Sequence, residues 1–156
     1  MKYILLSDRP ALAALLKCLT QAHRGHRLMI VLFSEDPQDH LVKTIFKDHI
    51  KDAYALKDRF SYTTRTAKVY IIYFNKSTRA QLLKCKDQIY ENLYLGAQDL
   101  SFLDAEMNVL FHSVTHENLW YVRDDLYAWS ASIFTPVVKA DKLFCIDQSW
   151  RLKAKS

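Results

Sequence analysis

Glycine is almost missing. Gly25 and Gly96 are the only two in 156 residues, where an average chain carries about 7%. Phosphate loops of the dinucleotide-binding and P-loop kinds need several glycines close together, so both are excluded. Cysteine is scarce as well. Cys18, Cys85 and Cys145 are odd in number, far apart and in no C-x-x-C pair. That argues against a disulfide framework or a structural zinc site and fits a reducing, cytoplasmic setting. No apolar run nears the roughly 20 residues of a membrane span. The opening Tyr3-Ile4-Leu5-Leu6 is too short for a signal-peptide core. A membrane partner is therefore not expected.

What is present looks globular. Half the residues are hydrophobic and a quarter are charged, near the average for folded domains. The length suits one domain, taken as residues 1–149 with a short basic tail at 150–156. Strands are expected at 2–7, 28–33, 67–74 and 118–122, with a fifth within 129–138. Leu12, Leu15, Leu16 and Leu19 recur at helical spacing. Leu41, Val42, Ile45, Phe46 and Ile50 do so again, behind the capping run Asp36-Pro37. Residues 53–65 read as a helical turn and a polar loop. A further helix is expected from Thr78 to about Leu95. Another begins at Ser101, with Asp104 three residues on and Leu103, Met107, Leu110 and Phe111 as its apolar face. Strand–helix alternation predicts a single α/β domain, its central sheet mostly parallel, of four to five strands, with helices on both faces.

In such a sheet the active crevice lies at the carboxyl ends of the strands. Asp8 follows the first strand, Glu35 the second, and Asp124 and Asp125 the fourth, while Asp104 opens a helix. Carboxylates converging on one crevice repel each other unless a cation sits between them. Hard oxygen ligands favour Mg²⁺ or Mn²⁺.

Ser101-Phe102-Leu103-Asp104-Ala105, followed by Leu119-Trp120-Tyr121-Val122-Arg123-Asp124, resembles the C-terminal half of PIN-domain ribonucleases. Tyr3-Ile4-Leu5-Leu6-Ser7-Asp8 is similar to that family's opening strand and first acid. The sequence departs from the family pattern after Asp8, where Arg9-Pro10 follows. The resemblance implies that Asp8, Asp104 and Asp124 are metal ligands, with Glu35 or Asp125 assisting. It implies Mg- or Mn-dependent cleavage of nucleic acid, RNA in preference to DNA. Each acid also has a structural explanation. Asp8 suits a turn, and Glu35 and Asp104 suit helix N-termini. Asp124 and Asp125 suit the cap of a short helix running toward Ala128.

The charge is +5 overall and unevenly spread, with eleven basic and three acidic residues between 40 and 86. Lys43, Lys47 and Lys51 recur every four residues, as one stripe of a helix would. Arg59, Arg65 and Lys68 flank a hydroxyl-rich stretch that suits phosphates, and Tyr62 is placed to stack on a base. The histidine pairs His23/His26 and His112/His116 have no cysteine or HExxH context for zinc. Aromatic residues, 13% of the chain, cluster late and are typical of protein interfaces. Two functions follow. One is a nucleic-acid-associated protein of the nuclease type. The other is a non-catalytic protein-binding module, such as an immunity protein, inhibitor or assembly subunit, with an acidic protein as partner.

Overall fold

A computed structural model describes residues 2–22, 27–33, 39–57, 66–86, 99–114 and 117–134. Strand β1 (Tyr3–Leu5) leads past Pro10 into helix α1 (Leu12–Gln21). Leu12, Leu15, Leu16 and Leu19 are all buried, as their spacing demands of one helix face. β2 (Arg27–Phe33) is followed by α2 (Asp39–Ile45), a 3-10 turn (Lys47–His49) and β3 (Ile50–Lys57). Then come β4 (Thr66–Tyr73), α3 (Lys76–Cys85), β5 (Asp99–Leu103), β6 (Val109–Val114), β7 (Leu119–Arg123) and α4 (Asp124–Trp129). Asn75 caps α3 reciprocally: its side chain accepts from the Ser77 and Thr78 amides, and its own amide donates to Thr78 Oγ1 at 2.8 Å.

The strands form one sheet in the order β1-β7-β6-β5-β2-β4-β3, with every neighbouring pair antiparallel. This overturns the expected mostly parallel sheet of four to five strands. Each strand–helix–strand unit does return the chain in its starting direction, as a helical crossover should. β1 and β2 point the same way, as do β2 and β3, and β4 and β5. But antiparallel strands from elsewhere in the chain lie between the members of each pair. β4 separates β2 from β3, β2 separates β4 from β5, and β5, β6 and β7 separate β1 from β2.

Helices on both faces are not found either, among the described residues. All four helices contribute to one core cluster on a single face, with Leu28, Ile30, Ile72, Leu100, Phe102, Phe111 and Val122 of the sheet.

Two predicted helices are strands. The 53–65 region begins inside β3, and its remainder lies outside the described residues. Ser101–Phe111 is a hairpin. Asp104 Oδ1 accepts from the amides of Glu106 (3.1 Å) and Asn108 (2.8 Å), and Met107 takes φ 66°. This is turn chemistry, and it beats the helical spacing of the leucines. A register shift between Phe102 and Leu103 leaves Leu110 as an extra residue on β6. That bulge lets both Leu110 and Phe111 enter the core. Their adjacency had imitated a helix face. The expected fifth strand at 129–138 starts instead with the end of α4 and a 3-10 turn, Ala131–Ile133, and residues 135–138 lie outside the described ones. The expected helix from Thr78 stops at Cys85 as far as it is described, and the tail at 150–156 lies outside.

Candidate functional site

The antiparallel arrangement decides where the acids stand. β1 and β7 run in opposite directions, with Tyr3 opposite Arg123 and Leu5 opposite Tyr121. Asp8, beyond the end of β1, therefore lies at one end of the sheet. Asp104 and Asp124, beyond the ends of β5 and β7, lie at the other. The Asp124 amide donates to the Lys2 carbonyl, at the start of β1, at 3.2 Å. At about 3.3 Å per strand residue, the length of β1 alone puts about 10 Å between the two ends. Two shared ions stand only about 3.5–4 Å apart, so Asp8 and Asp124 are not brought together. Both are exposed. Asp8 accepts from the Ser7 hydroxyl at 3.4 Å, and Asp124 from the Asp125 amide at 2.9 Å. Glu35 lies outside the described residues. Among those residues no group of three His, Cys, Asp or Glu side chains is placed to hold a metal ion.

The structure does bring Asp104 and Asp125 together, through Arg123. The guanidinium Nη1 donates to Asp104 Oδ2 at 2.7 Å, while Nε and Nη2 donate to the two oxygens of Asp125 at 2.7 and 3.0 Å. Asp104 also receives the Asn108 side-chain amide at 3.2 Å. Burial alone would raise the Asp104 pKa, but the hydrogen bonds from Arg123 and Asn108 and the Arg123 charge outweigh it and hold the carboxyl below its ordinary value. Burial likewise works against the Arg123 cation, and Asp125 and Asp104 together overcome it and raise its pKa. These contacts tie the β5–β6 turn to the start of α4. They leave Asp104 committed to its own fold.

A second polar group lies on the sheet face away from the helices. Asp99 and Ser101 alternate along β5, and Ser101 pairs in register with His112, which pairs with Tyr121. Ser101 Oγ and His112 Nδ1 share a 2.7 Å hydrogen bond, and the His112 ring stacks on Tyr121 with centroids 6.2 Å apart. This is not an accessible nucleophile, because Ser101 is 0% exposed. Burial pushes His112 down to about 4, so the imidazole is neutral at neutral pH. Burial, then the charge of Glu117, pushes Asp99 up to about 7. Among buried side-chain oxygens, Asp99 Oδ1 makes no hydrogen bond. His112 sits on strand β6, and His116 lies outside the described residues.

The basic residues divide differently from the expectation. Lys43 is on α2, which ends at Ile45. Lys47 is in the 3-10 turn and Lys51 on the edge strand β3. All three are exposed, but they do not form one helix face. Lys68 is half-buried on β4, opposite Ala55. Arg59, Tyr62 and Arg65 lie outside the described residues.

A second set of exposed basic residues stands on the helices. α1 and α3 contain no Asp or Glu, and Lys17, Lys76, Lys84 and the following Lys86 are exposed. None of these four makes an ion pair with a described acid. Arg79 on α3 donates to Thr20 Oγ1 on α1 at 2.7 Å and lies 5.8 Å from the Phe74 ring centroid. A groove of about 240 Å³ runs between the two helices, lined chiefly by Ala13, Leu16, Lys17, Thr20, Arg79 and Leu83.

Neither the buried polar strip nor this groove stood out in the sequence. The strip carried a signal in the alternation of Asp99 and Ser101. The groove carried a stronger one: residues 9–34 and 59–86 hold no acid but eleven of the chain's 22 lysines and arginines. No helix of the described residues is long and apolar enough to cross a membrane. Comparison with protein-family models, curated proteins and solved structures finds no match to this chain.

Proposed function

We propose that this chain is a non-catalytic binding module for an acidic protein partner. One observation carries the reading. Helices α1 and α3 contain no acid and are joined by the Arg79–Thr20 hydrogen bond, and Lys17, Lys76 and Lys84 stand exposed on them, in no ion pair with a described acid. Clustered like charges repel each other and cost stability. A partner of opposite sign relieves that repulsion and is steered to the surface as it approaches. The acids that a metal-dependent nuclease would use favour this reading by their geometry: Asp104 is occupied by Arg123 and Asn108, and Asp8 faces the other end of the sheet. The nucleic-acid reading draws its support from the exposed Lys43, Lys47 and Lys51 at the α2–β3 corner.

The two are separated by titrating the full chain into labelled polyglutamate and into a labelled 20-nucleotide RNA. Both are run at low and moderate salt with Mn²⁺ present, with the RNA also followed on a gel. The binding module holds polyglutamate in a salt-sensitive complex and leaves the RNA uncut. Mn²⁺-dependent cleavage of the RNA, or RNA binding with no binding of polyglutamate, would overturn it.

A further inference from the structure

We infer that the α1/α3 groove is the docking site for an amphipathic acidic helix, whose aliphatic ridge enters the groove beside Leu83 while its carboxylates meet Lys17, Arg79 and the lysines of α3. The inference rests on the acidic-partner reading and adds where and how the partner sits.

The groove is built by two single helix faces. Ala13, Leu16, Lys17 and Thr20 stand at i, i+3, i+4 and i+7 along α1, and Arg79 and Leu83 are four apart on α3. Lys76 precedes Arg79 by three residues and Leu83 follows Arg79 by four, so the stripe of α3 that carries Leu83 is cationic toward its N-terminal end. Leu83 is 48% exposed. Its neighbours Leu82 and Cys85 are buried in the core, so Leu83 is left over from the packing of α3. The bond from Arg79 to Thr20 spans the groove and holds its walls together.

Size and chemistry select the occupant. A volume of about 240 Å³ is below the roughly 300–1,000 Å³ of small-molecule sites and suits one or two aliphatic side chains of a docked peptide. From Ala13 to Thr20 the groove is about 10 Å long at 1.5 Å per helical residue. Two turns of a partner helix, with apolar anchors at i, i+3 or i+4, and i+7, match that length. The cations stand along the rim, where the flanks of such a helix carry its charge. A phosphate backbone would leave the leucine floor unused, and single-stranded nucleic acid sites place aromatic rings where this groove has aliphatic side chains.

The test uses the full chain and a designed, labelled 16-residue peptide with leucines at i, i+3, i+4 and i+7 and glutamates elsewhere, followed by fluorescence anisotropy. Two control peptides replace the leucines by glutamine or the glutamates by lysine, and a 16-nucleotide poly(U) RNA serves as competitor. The acidic leucine peptide is expected to bind at least tenfold more tightly than either control. Leu83→Gln is expected to weaken it at least tenfold and Lys17→Glu at least fivefold. Both residues are exposed or half-exposed, so both variants are expected to keep the wild-type melting temperature, which is checked by circular dichroism. If the peptide binds but both variants bind it as well as wild type does, the groove is wrong while the acidic-partner reading stands. If the glutamine control binds equally, charge alone is recognised and the groove is again wrong. If poly(U) binds more tightly and displaces the peptide, the acidic-partner reading fails. A peptide that does not bind the wild-type chain overturns the groove as its site.

Discussion

Replacing Asp99 by asparagine should change how stability depends on pH, and the structure sets the size of the change. In the folded chain burial and the Glu117 charge keep Asp99 protonated up to about pH 7, against an ordinary pKa of 3.8. Between those values the folded state binds more protons than the unfolded state, so stability falls as pH rises. About three pH units at about 1.4 kcal/mol each make this roughly 4 kcal/mol. His112, on the same sheet face, acts in the opposite sense. Burial holds its pKa at about 4 against 6.5, so stability falls as pH drops through that window, by about 3 kcal/mol. From pH 4 to 6.5 the two slopes nearly cancel. Asp99→Asn removes one of them. Relative to wild type, the variant should gain about 4 kcal/mol between pH 4 and pH 8. His112→Gln should do the reverse and lose about 3 kcal/mol relative to wild type over the same range. Urea unfolding followed by tryptophan fluorescence at five pH values, with unchanged m-values, gives these differences directly. An Asp99→Asn difference that stays constant within about 1 kcal/mol from pH 4 to 8 would refute the reasoning.

Three further outcomes are expected. Arg123→Ala strips both carboxylates of their partner and leaves Asp104 buried without a counter-charge, which should cost about 3–5 kcal/mol in urea unfolding; a loss under 1 kcal/mol would show the ion pair to be dispensable. Asn75→Ala removes the cap of α3 and should cost about 1 kcal/mol by the same measurement, leaving α1 as protected from hydrogen exchange as before. Excess Mn²⁺ after EDTA treatment should leave the melting temperature in place, because Asp104 is already hydrogen-bonded and ion-paired; an occupied site at a hundredfold excess over Kd would raise it by roughly 5–10 °C.

The sequence made α1, β2, β4 and β7 legible because each is bounded by turn residues and is either apolar at helical spacing or a short run rich in apolar, aromatic and β-branched residues. Of the two roles open to Asp124 and Asp125, the start of a short helix is the one that α4 gives them. The order of the sheet was hidden. Periodicity reports which face of an element is buried, and nothing in it says that β4 would enter between β2 and β3. The rule that ligands gather at carboxyl strand ends applies to parallel sheets. Once β5 and β7 run against β1, the same rule separates Asp8 from Asp104 and Asp124. The Ser101–Phe111 hairpin was hidden for a local reason. Asp104 has the spacing of a helix-starting acid, but its side chain organises a turn, and a bulge at Leu110 gives a strand the look of a helix face. The docking groove was readable in part, since the absence of acids from 9–34 and 59–86 is visible in the chain, but only folding puts those two stretches side by side.

The most direct measurement is an amide map of the ¹⁵N-labelled chain titrated with the acidic leucine peptide. Shifts are expected to concentrate on α1 and α3, largest near Lys17, Thr20, Arg79 and Leu83, with the α2–β3 corner unmoved. Shifts centred on Lys43, Lys47 and Lys51 instead, with α1 and α3 silent, would contradict docking in the α1/α3 groove.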